Sequence, residues 1–132
     1  MAGVSTVSNG SQRVTESGGP MAKYAMFFSY TSEAWARLID HPEDRTAVAR
    51  HVVESVGGTL ESIYWMLGDR DGLAIVDVPD SVSAAAVSLA VTSSGAFKHN
   101  ETRELLTQDQ LTGALARARE LTSAFRPPGQ GG

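Results

Sequence analysis

Residues 59–78 read TLESIYWMLGDRDGLAIVDV, and the fold turns on this stretch. Thr59–Leu67 is rich in β-branched and aromatic residues and predicts a strand. Gly68-Asp69-Arg70-Asp71-Gly72 is a polar turn bounded by glycines, and Leu73–Val78 predicts the strand that returns from it. Together they form a hairpin. Tyr64 and Trp65 fall on opposite faces of its first strand, Trp65 with Ile63 and Leu67, Tyr64 with Leu60 and Met66.

Upstream of the hairpin, Val48, Val52 and Val56 form an i, i+4, i+8 ladder widened by Ala49 and Val53, the apolar stripe of a helix. Gly57-Gly58 stops that helix, because glycine adopts a left-handed terminal position at least cost. Pro42 interrupts it near His41, and Thr31 caps its start, with Glu33 in the first turn. Before it, Lys23–Tyr30 predicts a strand with Tyr24, Met26, Phe28 and Tyr30 on one face and Ala25, Phe27 and Ser29 on the other. Both faces are largely apolar, so a central strand covered on both sides is expected.

Downstream, Pro79-Asp80-Ser81 ends the hairpin and caps a helix whose expected apolar face is Val82, Ala85, Ala86 and Leu89; Gly95 closes it. Phe97–Leu106 predicts the last strand. A capping box of Thr107 with Gln110 then opens a final helix, at about residues 108–125, carrying Leu111, Leu115, Ala118, Leu121 and Phe125 on one stripe. The order β-α-β-β-α-β plus a C-terminal helix predicts an α+β, ferredoxin-like domain: a four-stranded antiparallel sheet with two helices on one face. Its other face must meet solvent, the last helix or another subunit.

The chain has 132 residues and a mass of 14.0 kDa, enough for one domain. Residues 1–20 lack Leu, Ile and aromatics and are expected to be a disordered tail; residues 127–132 are expected to be loose. The folded domain is therefore expected at residues 21–126. A net charge of −4 and a pI near 5.3 provide no footprint for nucleic acid. Without cysteine, disulfides, thiolate catalysis and Cys-based zinc sites are excluded. No membrane-spanning run or signal pattern is present, so a cytoplasmic protein with no membrane partner is expected. No phosphate-binding glycine loop and no G-x-S-x-G elbow occurs, and no cofactor is expected.

Three stretches carry a resemblance: MAKYAMFFSYTSEAW (21–35), VVESVGGTLESIYWMLGDRDGLAIVDVPD (52–80) and AFKHNETRELLT (96–107). In them the chain resembles the GYD domain family, within the wider dimeric α/β-barrel group. The resemblance implies a ferredoxin-like protomer that pairs sheet to sheet and supplies no established activity. One departure stands out. Where the family's name-giving turn has Gly-x-Tyr-Asp, this chain has Gly68, Asp69, Arg70 and Asp71.

For chemistry, His99 comes first. Alternation in the last strand sets Phe97, His99, Glu101 and Arg103 on one face, a grouping suited to proton transfer or to holding a small anion, or simply to a solvated polar ladder. Tyr24, Tyr64 and Trp65 are candidate ligand-binding aromatics, although strands also favour such residues for packing alone. His51 and Glu54 share a helix flank at i, i+3, but two ligands do not make a metal site, and none is assigned. Asp71 before Gly72 suits a local turn role.

Three functional readings follow. The first is a homo-oligomeric module binding a small molecule or partner between or beside paired sheets. The second is a cofactor-independent oxygenase or isomerase with His99 as general base. The third is a structural partner subunit docking through the C-terminal helix.

Overall fold

The computed structural model describes residues 21–129. The expected tail at residues 1–20 lies outside the described residues, as do residues 130–132. The elements follow as β1 (Ala22–Tyr30), α1 (Ser32–Asp40), α2 (Arg45–Glu54), β2 (Thr59–Trp65), β3 (Gly72–Val78), α3 (Ser81–Thr92), β4 (Phe97–Leu105) and α4 (Gln108–Leu121). The four strands form one sheet in the order β2-β3-β1-β4, every neighbouring pair antiparallel. This is the ferredoxin-like α+β plan that the element order predicts.

Local chemistry sets the helix ends. Thr31 Oγ1 accepts the Ala34 N–H at 3.1 Å, Asp80 Oδ1 accepts that of Ser83 at 2.8 Å, and Thr107 and Gln110 form a reciprocal box. Pro42 splits the first helical region in two, because the residue before proline is driven out of helical geometry; His41 lies at φ −135°. After α2, Gly57 takes a φ of +82°. At Gly58 a Cβ would sit 2.6 Å from the Asp77 carbonyl, so glycine lets the chain pass directly against β3.

The core lies between the sheet and α2 and α3. Tyr24 and Met26 of β1, Leu60 of β2, and Ala74, Val76 and Val78 of β3 pack against Val53, Ala84 and Val87. Val76 and Val78 are completely buried, each worth roughly 1.5–3 kcal/mol of transfer free energy.

Four expectations are corrected. In α3 the buried residues are Ala84 and Val87, whereas Val82 is 76% and Leu89 69% exposed. This helix is apolar on nearly every side, so periodicity alone could not select its inward face. In β2 the register shifts between Leu60 and Ser62, which separates Tyr64 from Leu60: Leu60 joins the core while Tyr64 is exposed. In the β1–β4 ladder a second shift pairs Ser29 with His99 but Tyr30 with Phe97. Phe97 therefore turns to the helix side, away from the His99 face. Finally, β1 is central, but among the described residues the helices cover only its Tyr24–Met26–Phe28–Tyr30 face.

The last helix stands apart. Every described residue from Leu111 onward is exposed, and the helix ends at Leu121, before Phe125. No helix among the described residues is long and apolar enough to cross a membrane.

Candidate functional site

One end of the sheet, on its helix side, gathers both tryptophans with Phe28, Tyr30 and Phe97. Phe28 meets Trp65 and Phe97 edge-on at 5.5 and 5.6 Å, and Tyr30 meets Trp35 edge-on at 5.4 Å and stacks on Trp65 at 5.9 Å. These residues come from β1, α1, β2 and β4, so the cluster depends on the finished sheet. Asp71 organises it. Its Oδ2 accepts the backbone N–H of Tyr30 and the indole N–H of Trp35, both at 2.9 Å. Its own N–H donates to the Phe28 carbonyl at 2.8 Å, and its carbonyl accepts the Met66 N–H at 2.8 Å. A residue read as a local turn former thus ties the hairpin to β1 and α1.

Beside this cluster an apolar cleft of about 300 Å³ opens between α2, α3 and the sheet. Met26, Val52, Ile63, Val87, Phe28 and Phe97 are among its walls. Its polar groups are few: Tyr30, Arg45, Ser94 and Asn100. Arg45 donates from Nη1 to Glu43 at 2.5 Å and from Nε to the Tyr30 hydroxyl at 3.4 Å. The Glu43 carboxylate outweighs partial burial and holds the Arg45 pKa above its ordinary value. Few, oriented polar groups in an apolar concavity are the usual make-up of a small-molecule site.

The opposite sheet face has another character. Ala25, Phe27, Leu73 and Ile75 occupy its middle, and β-pairing aligns Tyr64, Leu73, Phe27 and Glu101 in one row across all four strands. Near one edge Glu101 bonds to Arg70 Nη2 at 3.1 Å and to Arg103, with His99 Nε2 at 3.5 Å. Arg103 first, then Arg70, hold the Glu101 carboxyl below the usual carboxylate range. A carboxylate balanced by two guanidiniums is a poor proton acceptor. At the far end Lys23 pairs with Glu61 and, at 3.1 Å, with the buried Asp77.

The model for the GYD domain matches residues 24–115. The chain belongs to the GYD domain family. No curated protein and no solved structure matches it significantly.

In this GYD domain the name-giving turn is Gly68-Asp69-Arg70-Asp71. Its aspartate builds the aromatic cluster, while Arg70, standing where the family has tyrosine, reaches to the other sheet face and binds Glu101. The sequence-predicted site residues fall into separate places: His99, Glu101 and Arg103 stand together, while Tyr24, Tyr64 and Trp65 lie apart from them. His99, Glu101, Arg103 and Tyr64 lie on the open face, with Tyr64 three strands away from Glu101. Trp65 joins the aromatic cluster at the cleft end, and Tyr24 is buried in the core at 6% exposure. His51 and Glu54 stand exposed on α2.

Sequence reasoning missed Arg45 at the cleft and the pairing of Trp35 with Asp71 in the aromatic cluster beside it. The spacing of Trp35 one turn after the Thr31 cap was the available signal, since it sets the indole at the end of β1.

Proposed function

We propose that this GYD domain is a homo-oligomeric binding module that takes a small apolar molecule into the cleft between α2, α3 and the sheet. The observation that carries this reading is the cleft itself: apolar, aromatic at one end, about 300 Å³, with few polar groups. The test is calorimetric titration of the full chain with 1-naphthylmethanol. Saturable binding at one site per chain is expected, weakened at least tenfold by Ala49→Phe, which fills the cleft from α2. Unchanged affinity in that variant would sink the reading.

The second copy is assigned to the open sheet face. That face has an apolar middle and charges of both signs at its margins: Glu61 on β2, Arg103 on β4. A two-fold axis along the strands sets the β2 edge of one copy against the β4 edge of the other, matching acid to base while removing Phe27, Leu73 and Ile75 from water.

The oxygenase or isomerase reading needs a hollow between such paired sheets above His99. The Arg70–Glu101–Arg103 group beside the imidazole suits holding an anion better than removing a proton, which counts against His99 as a general base. The partner-subunit reading draws on the exposed stripe of α4, with Leu115 at 59% and Leu121 at 63% exposure.

A further inference from the structure

We infer that the ligand of this cleft is a small apolar carboxylate, its ring or chain among the aliphatic walls and its carboxylate on Arg45; this rests on the cleft reading proposed above. Among the described residues Arg45 is the one permanently charged side chain lining the cleft, and at 31% side-chain exposure it stands at the boundary of the cleft and solvent. The donors of Asn100 and Ser94, two of the other polar lining groups, are already committed. Asn100 donates its amide to the Ser88 carbonyl and the Thr92 hydroxyl, both at 3.3 Å. Ser94 Oγ donates to the Val91 carbonyl at 2.7 Å and accepts the Ala96 N–H at 3.2 Å.

Arg45 differs. A guanidinium carries five N–H donors, and among the described residues its side chain uses Nε and Nη1 only. Its acidic partner is replaceable. Glu43 sits two residues away in the loop between α1 and α2, half-exposed, and ion pairs of that kind are weak because solvent screens them. An incoming carboxylate offers the same guanidinium two parallel hydrogen bonds in a drier place, where such contacts are stronger. The Tyr30 hydroxyl, 3.4 Å from Nε, holds the guanidinium toward the aromatic end of the cleft. Glu43 thus occupies the carboxylate position when the cleft is empty and yields it when the ligand enters. A volume of about 300 Å³ falls at the small end of ligand sites, which selects a one- or two-ring aryl acid or a short alkyl acid over a long-chain lipid.

The experiment compares two probes of matched shape, 1-naphthoate and 1-naphthylmethanol, titrated calorimetrically into the full chain near neutral pH. Wild type is expected to prefer naphthoate at least tenfold. Arg45→Gln should erase that preference while retaining naphthylmethanol binding, which also reports that the variant is folded. Glu43→Gln should strengthen naphthoate binding several-fold and leave naphthylmethanol unchanged, because it removes only the internal competitor. Equal binding of both probes to wild type, or a preference that survives Arg45→Gln, overturns the carboxylate assignment alone. Failure of both probes to bind overturns the cleft reading and this assignment with it.

Discussion

The Asp71 carboxylate accepts the Trp35 indole N–H at 2.9 Å, joining the residue that ends the hairpin turn to the first helix. The same oxygen accepts the Tyr30 N–H, so one side chain closes off the end of β1, orients α1 and sets the aromatic wall beside the cleft. The aspartate of the family's turn therefore has a long-range structural task.

Removing that acceptor strands two donors at once. Asp71→Ala is expected to lower stability by about 2–4 kcal/mol, since hydrogen bonds to a charged acceptor are worth about 1.5–3 kcal/mol each and part is recovered by water. Urea unfolding, followed by tryptophan emission, measures it. A loss below about 0.5 kcal/mol would mean that the two bonds do not hold the cluster together.

Gly72 lies under the ring of its cross-strand partner Phe28, and a Cβ there would sit 2.2 Å from the ring edge. Gly72→Ala should cost about 1–3 kcal/mol through overpacking. Phe28→Ala removes the obstruction, so the double variant should be more stable than the sum of the two single losses. Strict additivity in thermal melts would refute the contact.

On the open face, Glu101 is held below its ordinary 4.5, chiefly by Arg103 and then by Arg70. A depressed native pKa means the unfolded chain takes up the proton first as pH falls. The ion pairs therefore contribute above about pH 4.5 and are lost as pH drops through the native value. Glu101→Gln should flatten the acid limb of the stability–pH curve and leave the neutral plateau nearly unchanged, because such partly exposed pairs are individually weak. Denaturant titrations at several pH values below 5 decide it; an acid limb as steep as wild type would count against the pairing.

Pairing through the open face makes a separate prediction. Phe27→Lys sets a charge in the middle of the apolar patch and should halve the mass read by light scattering, with the far-UV circular dichroism spectrum retained. Ending the chain after Thr107 should leave the melting temperature within a few degrees, because α4 has no buried residue. A truncated chain that stays oligomeric would exclude α4 from the interface, and a Phe27→Lys variant that stays oligomeric would exclude the sheet face.

The elements were legible in the sequence because their signals are local. Thr31, Asp80 and Thr107 cap helices using groups within three residues, Pro42 breaks a helix through its own ring, and Gly57 ends one through its own φ. From those elements the order, the sheet and the family follow. The site was less legible, because its geometry depends on pairing between distant strands. One residue of register at Leu60/Ser62 and another at Ser29/Tyr30 decide which side chains face the helices. A one-residue slip carries a side chain through the sheet, and no alternation pattern reports it. This is why Phe97 left the His99 face, and why Tyr64 parted from Leu60. The choice between the two apolar sides of α3, the reach of Asp71 to Trp35 and the arrival of Arg45 at the cleft likewise arise only when the layers pack. The sequence determined which segments would be strands and helices, through interactions a few residues long. Tertiary structure decided which side of each strand meets which partner, through contacts between residues tens of positions apart.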